Sequence, residues 1–174
     1  GRLPPNSPAM VEPEEYLGPR HFCFHPSLDV LYFSNEQDCS VSGYRLDTAT
    51  GTLSLFQTVT TLPEGYTERN TCSQIQVSAS GRFLYAPNRG HDSIACFSVN
   101  TATGELTATG RVASEARPNA FSLGPQDKFL YSAGQDSGRM ATFSVNQDTG
   151  ELIPLEVYPL GNTPSWVSII ELQG

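Results

Sequence analysis

The chain has 174 residues, of which 38% are hydrophobic and 16% charged, with 15 Gly, 13 Pro and a formal net charge of −8. One ordinary domain fits that length, and the scarcity of charged helix formers excludes a helical bundle or coiled coil in favour of an all-β protein. No apolar run reaches the roughly 18 to 20 residues that cross a bilayer, and an acidic chain lacks the basic face that sequence-independent nucleic-acid binding needs, so neither membrane nor nucleic acid is expected as a partner.

In chain order, a lead resembling the last strand of a repeat (GRLPPNSPAMVEP) precedes three sets of four short strands, A to D. Strand A is placed at 22–25, 75–77 and 120–123, and is followed by the turns HPSLD, SASGR and GPQDK. Strand B is the Leu-Tyr segment that follows. Strand C ends in YRLD, CFSVN or TFSVN, and strand D follows the turns DTATG, NTATG or NQDTG, in which Gly supplies a positive φ. Tyr32, Tyr85 and Tyr131 correspond, as do Gly51, Gly104 and Gly150, with offsets of 53 and then 46 in both series. Four antiparallel strands in about 46 residues make a β-propeller blade. The repeats fall at about 18–65, 66–115 and 116–160, and an A-like closing strand (PSWVSIIEL) lies in 161–174, giving about three and a half blades. Propellers close with four to eight blades, so the remaining blades are expected from the same protein or another chain.

In such a meander the A–B and C–D turns share one end of the strands, while the D–A and B–C connections share the other. The first end carries interchangeable turn chemistry. At the second the repeats differ: Glu36, Arg89 and Gln135 occupy one slot at the end of strand B, and Arg20, Asn119 and Ser165 correspond at the start of strand A, beside His21, Ala120 and Trp166. Arg20, Arg69, Arg89, Arg117 and Arg139 all fall at or near this end. Half the basic residues of an acidic chain therefore surround one opening, which favours an anionic small molecule there. A longer connection, LPEGYTERNT, places Tyr66, Glu68 and Arg69 over the opening as a lid or simply as a longer loop. The four cysteines, Cys23, Cys39, Cys72 and Cys96, include no C-x-x-C pair and no signal region precedes them, so free thiols in a cytoplasmic protein are expected.

The motifs GPRHFCFHP, SNE, LPEGYTERNT, GRFLYAPNRGHDSIACFSV and TPSWV, taken in order from about Gly18 to Leu172, resemble those of the seven-bladed propeller lactonase family, which includes bacterial 6-phosphogluconolactonases and fungal carboxymuconate-lactonising enzymes. The segment is similar to the C-terminal half of such an enzyme. The resemblance implies functional roles for Arg20 in GPRH, Glu36 in NE and Arg89 in the NR turn. A further family histidine lies on an earlier blade without counterpart here, and Gln74 stands where the family often has an acidic residue.

Opening a lactone requires an activated water, a stabiliser for the developing oxyanion and an anchor for the substrate's acidic group. Glu36 is the candidate general base. Arg20 and Arg89 would anchor the anion and polarise the carbonyl. His21 is a further catalytic candidate, although strand alternation would turn it away from the face that Arg20 occupies. Asn119, Gln135, Arg69 and His91 are candidate substrate-binding residues. No cofactor or metal is expected, since paired arginines repel a divalent cation from oxygen ligands such as Asn35 or Asn88. The expected activity is hydrolysis of an anionic sugar lactone such as 6-phosphogluconolactone, in carbohydrate metabolism. Carboxymuconate cycloisomerisation and a non-catalytic binding surface are the alternatives.

Overall fold

The computed structural model describes residues 1–2, 4–12 and 16–171 and contains three four-stranded antiparallel sheets. The first comprises β1 (Pro19–Phe24), β2 (Val30–Asn35), β3 (Ser40–Asp47) and β4 (Thr52–Thr60). β5 (Gln76–Val77), β6 (Phe83–Asn88), β7 (Ser93–Val99) and β8 (Leu106–Ala113) make the second. The third consists of β9 (Pro118–Leu123), β10 (Phe129–Gly134), β11 (Arg139–Val145) and β12 (Leu152–Pro159). Neighbours in each sheet are consecutive in sequence, so each is a meander and a propeller blade, as the repeats predict.

The apolar residues of the second strands alternate between two inter-blade layers. Val30 and Tyr32 of the first blade pack with Leu84, Ala86 and Phe97 of the second, whereas Phe83, Tyr85 and Cys96 pack with Phe121, Leu130 and Phe143 of the third. Phe97, Phe121 and Phe143 are at most 1% exposed, and burying each ring stabilises the fold by about 1.5–3 kcal/mol. The fourth strands form the outer rims and are largely exposed.

The third-to-fourth strand turns repeat one design. Asp47, Asn100 and Asn146 each accept two backbone N–H bonds through Oδ1, and Gly51, Gly104 and Gly150 follow at φ of +69°, +76° and +73°. Two of these glycines also receive a clasp from the preceding blade. The Tyr32 hydroxyl donates to Gly104 O at 2.7 Å and that of Tyr85 to Gly150 O at 2.8 Å.

Polar side chains join the blades elsewhere. Gln57 makes paired bonds with the Leu106 backbone, while Gln74 and Gln76 accept from the N–H groups of Phe121 and Leu123. Buried His25 lies 3.0 Å from Gly81 O through Nε2 and accepts from Ser27 and Leu28 through Nδ1.

Some sequence expectations move. β1 and β9 begin earlier than expected, and His25 lies beyond β1 because its ring closes the following turn. The A-like stretch carries no strand through residue 171, and residues 172–174 lie outside the described set. A strand needs a hydrogen-bonded neighbour, and all three described sheets already end on their own first strands. The described residues of the lead likewise form no strand, with 3 and 13 outside the described set.

Candidate functional site

Three backbone bonds define equivalent positions at the ends of the second strands: Glu36 N to Gly18 O, Arg89 N to Thr71 O and Gln135 N to Arg117 O, at 2.8, 2.8 and 2.9 Å. The skeleton is thus the same three times, while the side chains at the slot are a carboxylate, a guanidinium and an amide. The entering strands repeat a second feature. In β1 the pairing passes from Pro19↔Asn35 to His21↔Ser34, leaving Arg20 as an extra residue, and in β9 it passes from Pro118↔Gly134 to Ala120↔Ala133, leaving Asn119 extra. Such bulges redirect the inserted side chain.

The redirected residues converge on the first slots. Arg89 Nη2 donates to Glu36 Oε1, and Arg20 Nε lies 3.5 Å from Glu36 Oε2, so one carboxylate is held between two guanidinium groups. Arg89 is the deeper, its side chain 8% exposed against 27% for Arg20. It also donates from Nη1 to Asn119 Oδ1 and from Nη2 to Cys72 O, both at 3.0 Å. Its Nε is buried with no hydrogen-bond partner. Burial first, and then the Arg89 charge, pull Arg20 below its usual pKa, with Glu36 opposing.

Among the described residues no hydrogen bond or ion pair joins the His21 ring to Glu36, Arg20 or Arg89, and His21 does not line the cavity described below. The bulge at Arg20 breaks the alternation, and His21 feels the charges of Arg20, Glu36 and Arg89. Burial is the main influence and lowers its pKa from 6.5, with both arginines adding to the effect and Glu36 opposing it. Ser34 fixes the backbone here by bonding His21 N at 3.2 Å and His21 O at 3.3 Å.

Beside the Glu36–Arg89 pair opens a cavity of about 430 Å³, lined also by Arg69, Arg117, Asp92, Asp136, Thr71 and Gly90. Asp92 is spent on backbone groups, accepting from Arg117 N at 2.8 Å and Gly90 N at 3.3 Å. Asp136 lies 3.8 Å from Arg117 Nη1, an exposed and loose pairing. Arg69 has no ion-pair partner among the described residues. The cavity thus presents Arg69 and most of Arg117 to a ligand, with Glu36 at its edge.

The remaining candidates divide. Asn119 serves Arg89 rather than lining the cavity. Gln135 occupies its slot but is not among the lining residues. His91 is engaged elsewhere, with Nδ1 2.7 Å from Ser93 Oγ and its ring edge-on to Tyr66 at 4.9 Å. Tyr66 therefore steadies the long loop, while Arg69 alone of its three expected residues reaches the cavity wall. Trp166 is 67% exposed and is not packed between these blades. Arg139 pairs with Glu115 at 3.5 Å, and neither residue lines the cavity. Thr71, Asp92 and Asp136 were not anticipated, although Thr71 and Arg117 stand at the repeat offsets from Gly18.

A family description, "Lactonase, 7-bladed beta-propeller", matches residues 2–169. A 6-phosphogluconolactonase of Pectobacterium carotovorum subsp. carotovorum is 38% identical over 155 residues, which are 89% of this chain and 47% of that protein. One from Yersinia enterocolitica is 33% identical over 170 residues, 98% of this chain and 51% of its own length. The chain therefore spans about half the length of these curated relatives. Among solved structures, the periplasmic gluconolactonase PpgL of Pseudomonas aeruginosa superposes with a TM-score of 0.87 at 28% identity, over 92% of this chain and 44% of its own. A protein from Lactobacillus plantarum gives 0.86 at 27% identity, over 90% and 46%. With the repeats, the three blades and a family match over nearly its whole length, the chain belongs to the seven-bladed β-propeller lactonase family.

Proposed function

We propose that the full-length protein hydrolyses an anionic sugar lactone, with 6-phosphogluconolactone as the leading substrate, and that the site described above performs the chemistry. The observation that carries this reading is the Glu36 carboxylate, held by Arg89 and Arg20 at the edge of an arginine-lined cavity. Glu36 takes a proton from water as the water oxygen bonds to the lactone carbonyl carbon. The ring C–O bond then breaks, and the ring oxygen takes up a proton to give the hydroxy acid. General-base assistance of this kind contributes about 10²–10⁴-fold. His21, its pKa lowered by burial, is neutral near pH 7 and is the candidate to pass the proton on.

Arg89 is too committed to its protein partners to serve as the substrate anchor, so its role is to fix Glu36. Arg20 remains to polarise the carbonyl oxygen as charge develops there. Arg69 and Arg117 hold the substrate's phosphate, the task for which planar guanidinium groups are suited. The relatives named 6-phosphogluconolactonase support this choice of anion.

The same reading assigns the exposed outer faces to further blades. Ile153, Leu155 and Val157 on one side and Phe22, Phe24 and Leu55 on the other are 41% to 56% exposed. Tyr131 repeats Tyr32 and Tyr85 but has no hydroxyl partner among the described residues, so a neighbouring blade would supply the glycine carbonyl. Four free thiols fit residence in a reducing compartment such as the cytoplasm.

The test is acid release by the full-length protein from 6-phosphogluconolactone and from unphosphorylated gluconolactone, each corrected for spontaneous hydrolysis. Faster turnover of the phosphorylated lactone is expected, and Arg69→Ala and Arg117→Ala should raise its KM selectively. Absence of hydrolysis above background would overturn the assignment.

A further inference from the structure

Behind the Glu36–Arg89 pair lie two thiols that the proposed reaction does not use. Cys39 sits in the turn between β2 and β3 at φ +57°, and Cys72 bridges to Asn88 in the next blade. Both meet the same side chains: Cys72 Sγ lies 3.7 Å from Asn88 Oδ1, which Asn70 joins to Cys39. A shared polar network fixes them. Asn70 Nδ2 donates to Cys39 Sγ at 3.3 Å and to Asn88 Oδ1 at 3.0 Å, while Thr61 Oγ1 lies 2.8 Å from Cys39 O and 3.2 Å from Cys72 Sγ. Cys39 is 6% exposed beside exposed Gln37 and Asp38, which leaves it within reach of a small oxidant.

The Cys72 peptide also touches both members of the candidate site. Its N–H donates to Glu36 O at 3.1 Å, and its carbonyl accepts from Arg89 Nη2 at 3.0 Å. The geometry points to a dithiol modification site: we propose that Cys39 and Cys72 are oxidised by a peroxide to an intramolecular disulfide that loosens the hold of Arg89 on Glu36.

The Cys39 thiolate attacks a peroxide oxygen, the O–O bond breaks, and the departing oxygen leaves as water after taking a proton. Cys72 sulfur then displaces hydroxide from the resulting sulfenic acid, and the hydroxide takes the Cys72 proton. Overall two thiols and hydrogen peroxide give one disulfide and two waters. The neighbouring Cys72 thiol lowers the pKa of Cys39, whereas Cys39 and burial raise that of Cys72, which favours Cys39 as the attacking sulfur. Burial pushes Cys23 and Cys96 up to about 12 and leaves them inert.

Treating the full-length protein with hydrogen peroxide and mapping its peptides by mass spectrometry tests the site. The expected product is a Cys39–Cys72 cross-linked pair with two hydrogens lost, reversed by dithiothreitol and absent in Cys39→Ser and Cys72→Ser. Mapping of the wild-type protein suffices if either variant fails to fold. Overoxidation of Cys39 without a cross-link, a different pairing, or survival of both thiols would overturn the modification site. Its effect on turnover rests on the lactonase reading and is measured separately. At least a tenfold fall in kcat, restored by dithiothreitol, is expected, and an oxidised protein of unchanged turnover would overturn that coupling alone.

Discussion

A guanidinium group carries five N–H bonds, and three on Arg89 already have partners in Asn119, Glu36 and Cys72. A lysine offers one point charge and could not reproduce this arrangement. Arg89→Lys is therefore expected to leave Glu36 present but misplaced and to lower turnover on the order of 100-fold. KM for the phosphorylated lactone should change less than kcat, and the reverse pattern would make Arg89 a substrate anchor.

His21 gives a pH prediction at the same scale. Its pKa is lowered in the fold, chiefly by burial. As pH falls through the ordinary histidine value of about 6.5, the unfolded chain takes up the proton before the folded one, so stability falls with it. The loss continues until pH reaches the folded pKa. Thermal melting of His21→Gln across this window should show a flatter pH dependence than the parent, and an unchanged slope would remove His21 as its source.

At the scale of elements, the inter-blade clasps depend on the turn glycines. A β-carbon on Gly150 would enter the Phe83 ring, whereas one on Gly104 would only press Val30 and the Tyr32 hydroxyl. Both positions are left-handed, which costs a non-glycine residue about 1–2 kcal/mol, and overpacking adds about 1–3 kcal/mol. Gly150→Ala should therefore lower the melting temperature of the full-length protein more than Gly104→Ala. Equal losses would show that backbone strain alone decides.

The elements also explain what the sequence could disclose. The strand skeleton was legible because Tyr32 and Tyr85, and Gly104 and Gly150, are partners across blades and so recur at fixed spacing. The placement of Glu36, Arg20 and Arg89 at one end followed from meander topology. The bulge at Arg20 left no mark in the sequence, so simple alternation does not apply at His21. His91 shares the right end with these residues, but Ser93 and Tyr66 hold its ring, and topology cannot see such local partners. The stretch 164–171 has the pattern of a strand, yet pattern alone does not provide the neighbour against which a strand forms.

For the whole molecule, two apolar blade faces matter as much as the site. If further blades cover them, the 174-residue chain expressed alone should associate and bind a hydrophobic dye, with a light-scattering mass above that of its 18.9 kDa monomer. A monodisperse, dye-free monomer would mean that these faces are stable in water.

The central claim is that Glu36 activates water for lactone opening, and the most direct measurement compares the full-length protein with Glu36→Gln on 6-phosphogluconolactone. Glutamine keeps the shape but does not accept the proton, so kcat should fall about 10²–10⁴-fold while the melting temperature stays near that of the parent. A folded Glu36→Gln protein that retains parental turnover would contradict the account.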